Sequence, residues 1–317
     1  MATDYLKKLA RVPRGFIARP VLTLHTSGNL TLSVTTQTRR NFLATMGVAA
    51  LGVASRDTDV AAAIVSPTRK LDRIGLQLYT VRDLMKADMP ATLARVAAIG
   101  YKEVEFAGYF DRAPREVRAL LDRNSLTSPS THLDFEALDS WQKSLDDARV
   151  IGHQWVTIAS IPEEKRRTAD AWKAVAARFN RAAAQAKSAG LRFAYHNHDF
   201  ELKAIGDTRP LDILLRETDP LLVDIEMDIY WVVFGGGDPL DYIKRFPHRF
   251  PMVHVKDSAG PPDHRMVDVG QGRIDFRAIF SQSDNAGIKH YFVEHDQPAD
   301  PIATIRNSYD YLRSLRF

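Results

Sequence analysis

The sequence predicts a (β/α)8 barrel, a closed ring of eight parallel strands that alternate with eight helices. Between residues 72 and 316, short β-like apolar runs alternate regularly with helical patterns, and eight of each can be counted. Repeats of this size imply parallel strands that are joined by right-handed crossovers. A doubly wound sheet is the competing layout, but it would draw its site from fewer strand ends.

The predicted elements follow one another without long gaps. Strands are predicted at residues 74–80, 101–106, 126–133, 155–159, 191–198, 221–227, 250–253 and 289–293. Helices are predicted at residues 91–99, 113–124, 136–151 and 162–189, and from about residues 211, 239, 276 and 301. Gly100 and Gly190 directly follow two of these helices, as expected for helix stops.

The last four strands each end in a residue type that binds metals. These residues are His196, Asp228, His254 and Glu294, separated by 32, 26 and 40 residues. Each interval is about one βα unit, so the four side chains should meet at the carboxyl-end face of the barrel. His196 and His198 share one face if their strand stays extended. Taken alone, the His-x-His pair fits hydrogen-bonded core histidines as well as a metal site.

Residues 1–63 form an N-terminal extension that we exclude from the barrel domain, which we assign to residues 64–317. Arg39 and Arg40 precede an apolar run at residues 44–54, and small residues follow at 61–63. The run is too short to span a bilayer, and together these features resemble a cleavable twin-arginine (Tat-type) signal peptide. A buried helix is the alternative. The resemblance implies export by the Tat machinery, a periplasmic location and no stable membrane anchor.

The charge and the absence of cysteine exclude some classes of partner and of metal site. The formal net charge is +4, but residues 1–63 hold eight Lys/Arg against three Asp/Glu, and the remaining 35 Lys/Arg and 36 Asp/Glu leave the body at −1. A nucleic-acid partner is therefore not indicated. The chain has no Cys, which excludes disulfides and thiolate metal sites. The sequence does not specify an oligomeric state.

Six motifs, in this order along the body, resemble those of the xylose isomerase-like TIM-barrel superfamily, which includes sugar phosphate isomerases and epimerases and is related to endonuclease IV. They are LQLYTVRD at 76–83, GYKEVE at 100–105, YHNHDFE at 195–201, MDIYW at 227–231, HVKD at 254–257 and VEHD at 293–296. By this resemblance the metal ligands are His196, Asp228, His254 and Glu294. Many epimerases of the group have a carboxylate at the first of these positions, so a mechanism with two opposed metal-bound Glu is less favoured here.

Two carboxylates and two imidazoles suit one divalent ion such as Mn²⁺, Zn²⁺, Co²⁺ or Fe²⁺ rather than Ca²⁺. Such an ion could stabilise the enediolate that forms when a proton beside a carbonyl is removed. Glu294 is the first candidate for the base. His198 and Lys256 are the preferred second acid/base candidates, although Lys256 could equally pair with Asp228 or Asp257.

Further side chains are expected to contact substrate. Tyr79 and Trp231 could form an apolar platform for a sugar, and residues 269–275 are interpreted as a flexible lid or wall, with a plain turn as the alternative. The expected substrate-binding residues are Tyr79, Glu105, His132, Glu201, Trp231 and Arg273.

The leading functional hypothesis is a metal-dependent isomerase or epimerase of a free sugar or keto-sugar. The first alternative is a lyase or hydrolase of 3-keto-glycosides, which uses the same enediolate but expels a group from the adjacent carbon. A non-catalytic sugar-binding barrel and abasic DNA repair are further alternatives, and the near-neutral body and the export signal disfavour DNA repair.

Replacing Arg39 and Arg40 with Lys should retain the full-length precursor inside the cell, because the Tat pathway reads the arginine pair. Fractionation followed by immunoblotting would measure this. Replacing Arg11 and Arg14, which lie outside the signal, should leave export intact. Secretion that survives the Arg39/Arg40 change would remove the basis for the export prediction.

Overall fold

The computed structural model describes residues 68–317, together with the backbone of two strands nearer the N-terminus. These two strands, Phe16–Leu24 and Leu30–Thr38, pair antiparallel from Phe16–Thr38 to Leu24–Leu30. The sequence of this stretch has no clear periodicity, and Pro20 interrupts the first of the two strands. Residues 39–67, which include the arginine pair, the apolar run and the small residues of the predicted signal, lie outside the described residues. The export signal therefore stays a prediction.

The barrel prediction is confirmed. Eight parallel strands form a closed ring in which each strand pairs with the next along the chain, and the last closes on the first through Phe292 and Gly75. The strands are β1 Gly75–Gln77, β2 Glu103–Ala107, β3 Thr127–Leu133, β4 Trp155–Ile158, β5 Arg192–His196, β6 Val223–Asp228, β7 Met252–Val255 and β8 His290–Val293.

The α-helices surround the ring and pack their apolar faces on it. They are α1 Arg82–Ile99, α2 Pro114–Arg123, α3 Trp141–Ile151, α4 Ala169–Ser188, α5 Pro210–Glu217, α6 Ile229–Phe234, α7 Pro239–Arg245, α8 Phe276–Phe280, α9 Ser283–Ala286 and α10 Pro301–Ser314. In the part of the chain that the structure describes, no helix combines the length and the apolar character needed to cross a membrane.

The first helix begins earlier than predicted. A 3₁₀ turn at Leu78–Val81 replaces the end of the predicted first strand and leads directly into α1 at Arg82. Asp88 then leaves the helical conformation, and its carboxylate accepts a hydrogen bond from the Ala91 backbone N–H at 2.9 Å. The second half of α1 therefore starts as a newly capped helix. This second half is the helix that the sequence predicted at residues 91–99.

A small apolar cluster inside the barrel closes the floor beneath the site. It consists of Trp155, Ala194, Met252 and Phe292, which alternate with outward-facing residues along four strands. A Cβ at Gly75 would lie 2.5 Å from the Phe292 ring, so glycine makes room for this aromatic side chain. Polar side chains that lie further along the strands are thereby held above the floor, towards the carboxyl ends.

Three backbone N–H groups of the loop at residues 269–275 hydrogen-bond to one buried carboxylate. The Asp257 carboxylate accepts hydrogen bonds from the backbone N–H groups of Gly270, Gly272 and Ile274, at 2.9, 3.0 and 3.2 Å. A Cβ at Gly272 would lie 2.1 Å from Asp257 Oδ1, so this position requires glycine. Arg273 lines a separate cavity of about 270 Å³ and does not line the main one. The structure therefore places it away from the expected substrate site.

Candidate active site

The carboxyl ends of the strands open into a cavity of about 1060 Å³. Its polar and aromatic lining includes Tyr79, Tyr109, His132, Asp134, Glu136, His196, His198, Trp231, Lys256, Glu294 and Asp296. Small residues, Ala107, Gly108, Ala137, Ala159 and Ser160 among them, line the side formed by β2 to β4. The candidate metal ligands thus lie over β5 to β8, while small residues line the opposite side together with Asp134 and Glu136.

A buried ammonium group lies among three carboxylates on the side with the candidate ligands. Lys256 Nζ is 3.0 Å from Asp228 Oδ2, 2.7 Å from Glu294 Oε2 and 2.8 Å from Asp296 Oδ1. Burial alone would lower the pKa of Lys256, but the three carboxylates raise it well above its ordinary value. Three carboxylates therefore share this one ammonium group.

The structure groups three of the four predicted metal ligands, Asp228, His254 and Glu294, and places the fourth, His196, beside Asp228. Nδ1 of His254 lies 2.7 Å from Glu294 Oε2 and 3.9 Å from Asp228 Oδ2, while Nε2 of His196 lies 3.7 Å from Asp228 Oδ2. Potential ligand atoms of Asp228, His254 and Glu294 all lie within 4.8 Å of one another. Asp228 Oδ2 is buried and accepts no hydrogen bond of acceptable geometry.

These observations fit a divalent cation. A dication would supply further positive charge where three carboxylates share one ammonium, and it would bind Asp228 Oδ2, whose contact with Lys256 lacks hydrogen-bond geometry. Burial raises the pKa of Asp228 to about 6 although Lys256 and His254 oppose the shift. The nitrogen and oxygen donors present are those of sites for Zn²⁺, Mn²⁺, Co²⁺ or Fe²⁺.

A second layer of carboxylates lies beneath the two imidazole ligands. Glu226 Oε2 is 2.6 Å from His132 Nε2 and 3.3 Å from both His196 Nδ1 and His254 Nε2. Glu105 Oε2 is 2.7 Å from His254 Nε2. Glu105 was expected to contact substrate, but it is fully buried beneath the cavity and contacts His254 instead.

Sequence reasoning missed Glu226. Its neighbours at alternate positions are Asp224 and Asp228, so all three carboxylates project from the same face of β6 into the barrel. This alternation was the available signal. Asp296 was also missed, although it lies two residues beyond Glu294 in the same motif.

The two candidate acid/base residues both line the cavity. The His198 ring stacks on Phe200 with centroids 5.5 Å apart and lies 5.9 Å from the Trp231 ring. Burial and the nearby Lys256 lower the pKa of His198 to about 3, so its imidazole is neutral at pH 7. Trp231 also faces Lys256, whose Nζ is 5.7 Å from the ring centroid. These side chains form one continuous wall.

Of the other residues expected to bind substrate, two line the cavity and one does not. His132 and Tyr79 line the cavity, and Tyr79 lies at its rim with 41% of its surface exposed. Glu201 does not line the cavity: it is buried and accepts hydrogen bonds from the Tyr195 hydroxyl and from the His198 backbone N–H. Glu201 therefore holds the turn that carries His198 and is not positioned to contact substrate.

A buried histidine outside the ligand cluster should make the protein acid-sensitive. Nδ1–H of His153 donates to the Ser128 carbonyl at 2.8 Å, and Nε2 accepts from the Tyr109 hydroxyl at 3.0 Å. Burial lowers the pKa of His153 from 6.5 to about 4. The unfolded chain then takes up a proton first, so stability present above pH 6.5 is lost as the pH falls towards 4. The loss should be about 3 kcal/mol.

Urea unfolding at pH 7 and at pH 4.5 would measure this contribution. A His153→Asn variant should be less stable at pH 7 because of lost packing, but its stability should fall less over the same interval. A variant with the same pH slope as the natural protein would show that other groups cause the acid sensitivity.

A model of the xylose isomerase-like TIM barrel family matches residues 93–315. The chain belongs to this family. An inosose dehydratase of Geobacillus kaustophilus is 25% identical over 212 residues, which cover 58% of this chain and 66% of that protein, just under two thirds of its length. A crystal structure of a sugar phosphate isomerase/epimerase from Parabacteroides distasonis is 27% identical, with a TM-score of 0.67, and covers 83% of this chain and 98% of that one.

The fold is shared more widely. A crystal structure described as IOLI protein with a binding zinc atom has a TM-score of 0.62 at 13% identity, and the match covers 77% of this chain and 99% of that one. At this identity the likeness concerns the barrel alone.

Proposed function

We propose that the protein is a metal-dependent lyase that removes a proton next to the carbonyl of a keto-sugar or keto-polyol and expels a group from the adjacent carbon. The observation that carries the proposal is the pairing of Glu294 and Lys256, whose carboxylate and ammonium groups lie 2.7 Å apart at one side of the cavity. A base and a proton donor placed side by side suit an elimination on one face of the substrate, whereas epimerisation requires acid/base groups on opposite faces.

Glu294 is suited to act as the base. Burial alone would raise its pKa, but Lys256 and His254 hold the pKa well below its usual range, so the carboxylate is ionised at neutral pH. His254 and Lys256 both contact Oε2, which leaves Oε1 available to receive a proton. A cation held by His196, Asp228, His254 and Glu294 would polarise the substrate carbonyl and stabilise the negative charge that develops there.

Lys256 then acts as the general acid for the leaving group. The electron pair of the broken C–H bond forms a carbon–carbon double bond, and the group on the adjacent carbon departs with its own bonding pair. The Lys256 ammonium donates a proton to the departing oxygen, so that water or an alcohol is released. Asp228 and Asp296 hold this ammonium in place. Glu294 carries the proton taken from the substrate, and its transfer to the neutral Lys256 amine, 2.7 Å away, restores both groups.

The charge and the volume of the cavity favour a substrate that is uncharged and larger than one sugar ring. Lys256 is the only Lys or Arg among the described lining residues, which also include the carboxylates of Asp134, Glu136, Glu294 and Asp296. Such a lining would repel a phosphate group. A volume of about 1060 Å³ is at the upper end of pockets for drug-sized ligands, which span about 300–1,000 Å³. A keto-glycoside, with its aglycone on the side of small residues over β2 to β4, fits these features.

The relatives support the same class of chemistry. Dehydration of an inosose, named for the Geobacillus kaustophilus relative, is an elimination next to a ketone. Isomerase or epimerase activity is the second candidate, and the Parabacteroides distasonis structure favours it because it covers more of this chain at similar identity.

Incubation in D₂O with a 3-keto-glycoside, an inosose and a free keto-sugar would separate these functions. We expect a lyase to release the aglycone or water and to leave an unsaturated ketone or its hydrate. Deuterium incorporation with the carbon skeleton intact would identify an isomerase or epimerase instead. Metal-loaded protein that neither cleaves nor exchanges any of these substrates would contradict both candidates.

A further inference from the structure

The first and last strands of the barrel meet at a seam with little backbone pairing. β1 spans only Gly75–Gln77, and it pairs with β8 at two positions. β1 ends two residues before Tyr79, and β8 ends one residue before Glu294. Both of these side chains line the cavity. The backbone ladder of the seam therefore stops before the level at which substrate would bind, and other contacts must join the two loops there.

Two side chains of the LQLYTVRD motif make these contacts. Thr80 Oγ1 accepts a hydrogen bond from the His295 backbone N–H at 3.0 Å. Arg82 Nη1 donates to the backbone carbonyl of Asp296 at 2.8 Å and to that of Tyr79 at 2.9 Å. One guanidinium nitrogen thus joins the loop after β1 to the loop after β8.

Arg82 also limits the position of Asp296. The Asp296 N–H faces Met266 Sδ at 3.2 Å, a weak acceptor, so within the described residues the bond from Arg82 is the stronger backbone hydrogen bond of Asp296. The Asp296 carboxylate in turn lies 2.8 Å from Lys256 Nζ. Loss of Arg82 would therefore allow one of the three carboxylates around this ammonium to shift.

The same guanidinium covers the ring of Tyr79. Its central carbon lies 4.1 Å from the ring centroid, inside the ~6 Å range of cation–π contacts. Tyr79 is 41% exposed, and its hydroxyl makes no hydrogen bond to the part of the chain that the structure describes. The orientation of this ring in the cavity wall therefore depends on Arg82.

We propose that Arg82 is a positioning residue that holds the Tyr79 ring as a wall for the substrate and, through Asp296, holds the Lys256 ammonium beside the leaving group. The inference rests on the proposed lyase function and deepens it. Arg82 does not line the cavity, so it acts through these residues without touching the substrate.

The test follows the fate of the enediolate in D₂O with Arg82→Met. On a methyl 3-keto-glycoside the enediolate either regains a deuteron, which labels the recovered substrate, or expels methanol. A displaced Lys256 protonates the departing oxygen less well, so we expect the ratio of labelled substrate to product to rise about 10–100-fold. On a 4-nitrophenyl 3-keto-glycoside the ratio should change by less than about 2-fold, because 4-nitrophenolate leaves without a proton.

The Michaelis constant reports the second role of Arg82. KM for both glycosides should rise about 2–10-fold in Arg82→Met, because the freed Tyr79 ring must be ordered when substrate binds. Should this variant fail to fold, Arg82→Lys provides the test. Its ammonium can still donate to the Asp296 carbonyl but cannot lie as a plane on the ring, so KM should rise while the ratio stays within about 2-fold.

Arg118→Met is the matched control. Arg118 is also half-buried, and its Nη1 donates to the Ile151 carbonyl at 2.9 Å, but it joins α2 to α3 and does not line the cavity. Its replacement should leave the ratio and KM within about 2-fold, even if Tm falls.

Three results would overturn the proposal. A natural ratio and a natural KM in Arg82→Met would remove the positioning role and leave the proposed function intact. An equal rise of the ratio for both glycosides would show that Arg82 does not act through proton donation to the leaving group. Natural protein that exchanges the substrate proton without releasing either leaving group, or that acts on neither glycoside, would overturn the lyase function and this inference together.

Discussion

Glu294→Gln is expected to lower the turnover of a cleavable keto-glycoside by ~10³-fold or more, since general-base catalysis alone contributes about 10²–10⁴-fold. Gln cannot accept the proton beside the carbonyl, and it also removes one negative charge from the proposed metal site. The variant should therefore lose substrate C–H exchange in D₂O together with product formation. Steady-state kinetics with added metal would separate a lower kcat from weaker metal binding.

A control for the Glu294 prediction lies at the other end of the barrel. Glu103 is also buried and points into the barrel, but it pairs with His290 at 2.8 Å and with Arg73 at 3.5 Å, away from the cavity. Glu103→Gln should leave turnover within about 2-fold, because its effect is confined to packing. Undiminished exchange in Glu294→Gln would exclude Glu294 as the base. The neutral His198 would then be the next candidate.

Lys256→Met is expected to destabilise the metal-free protein by about 3–5 kcal/mol, the typical cost of removing one partner from a buried ion pair. Asp228, Glu294 and Asp296 would be left without their common cation. For a chain of this size the Tm should fall by roughly 6–20 °C. Added Zn²⁺ should restore part of the loss, because a bound dication replaces the missing positive charge.

Differential scanning calorimetry with and without Zn²⁺ would measure both effects. Lys203→Met is the matched control, since Lys203 pairs with Asp199 at 2.7 Å but is exposed at the surface, where such pairs contribute about 0–1 kcal/mol. A Lys256→Met protein as stable as this control would mean that the three carboxylates share protons in the natural protein and do not depend on the ammonium.

The regular alternation of strands and helices was predictable because each repeat carries its own local signal. The fourth strand, predicted at residues 155–159, is Trp155–Ile158, and the helix predicted at residues 113–124 is Pro114–Arg123. The errors occurred where tertiary contacts overrode the local pattern. The first predicted strand ends early because Leu78–Val81 turns to start α1, and the loop at residues 269–275 is held by Asp257 rather than by its own sequence.

The sequence by itself determined the barrel and the four strand-end side chains, of which the structure groups Asp228, His254 and Glu294. Period-two alternation and a spacing of one βα unit are local properties, and a closed parallel barrel gathers its strand ends on one face. Only the tertiary structure decided which other polar residues support them. Glu105 and His254 are 149 positions apart, and only closure of the ring places their side chains 2.7 Å apart. It likewise directs Arg273 to another cavity and surrounds Lys256 with three carboxylates, because these contacts depend on how strands pack across the barrel.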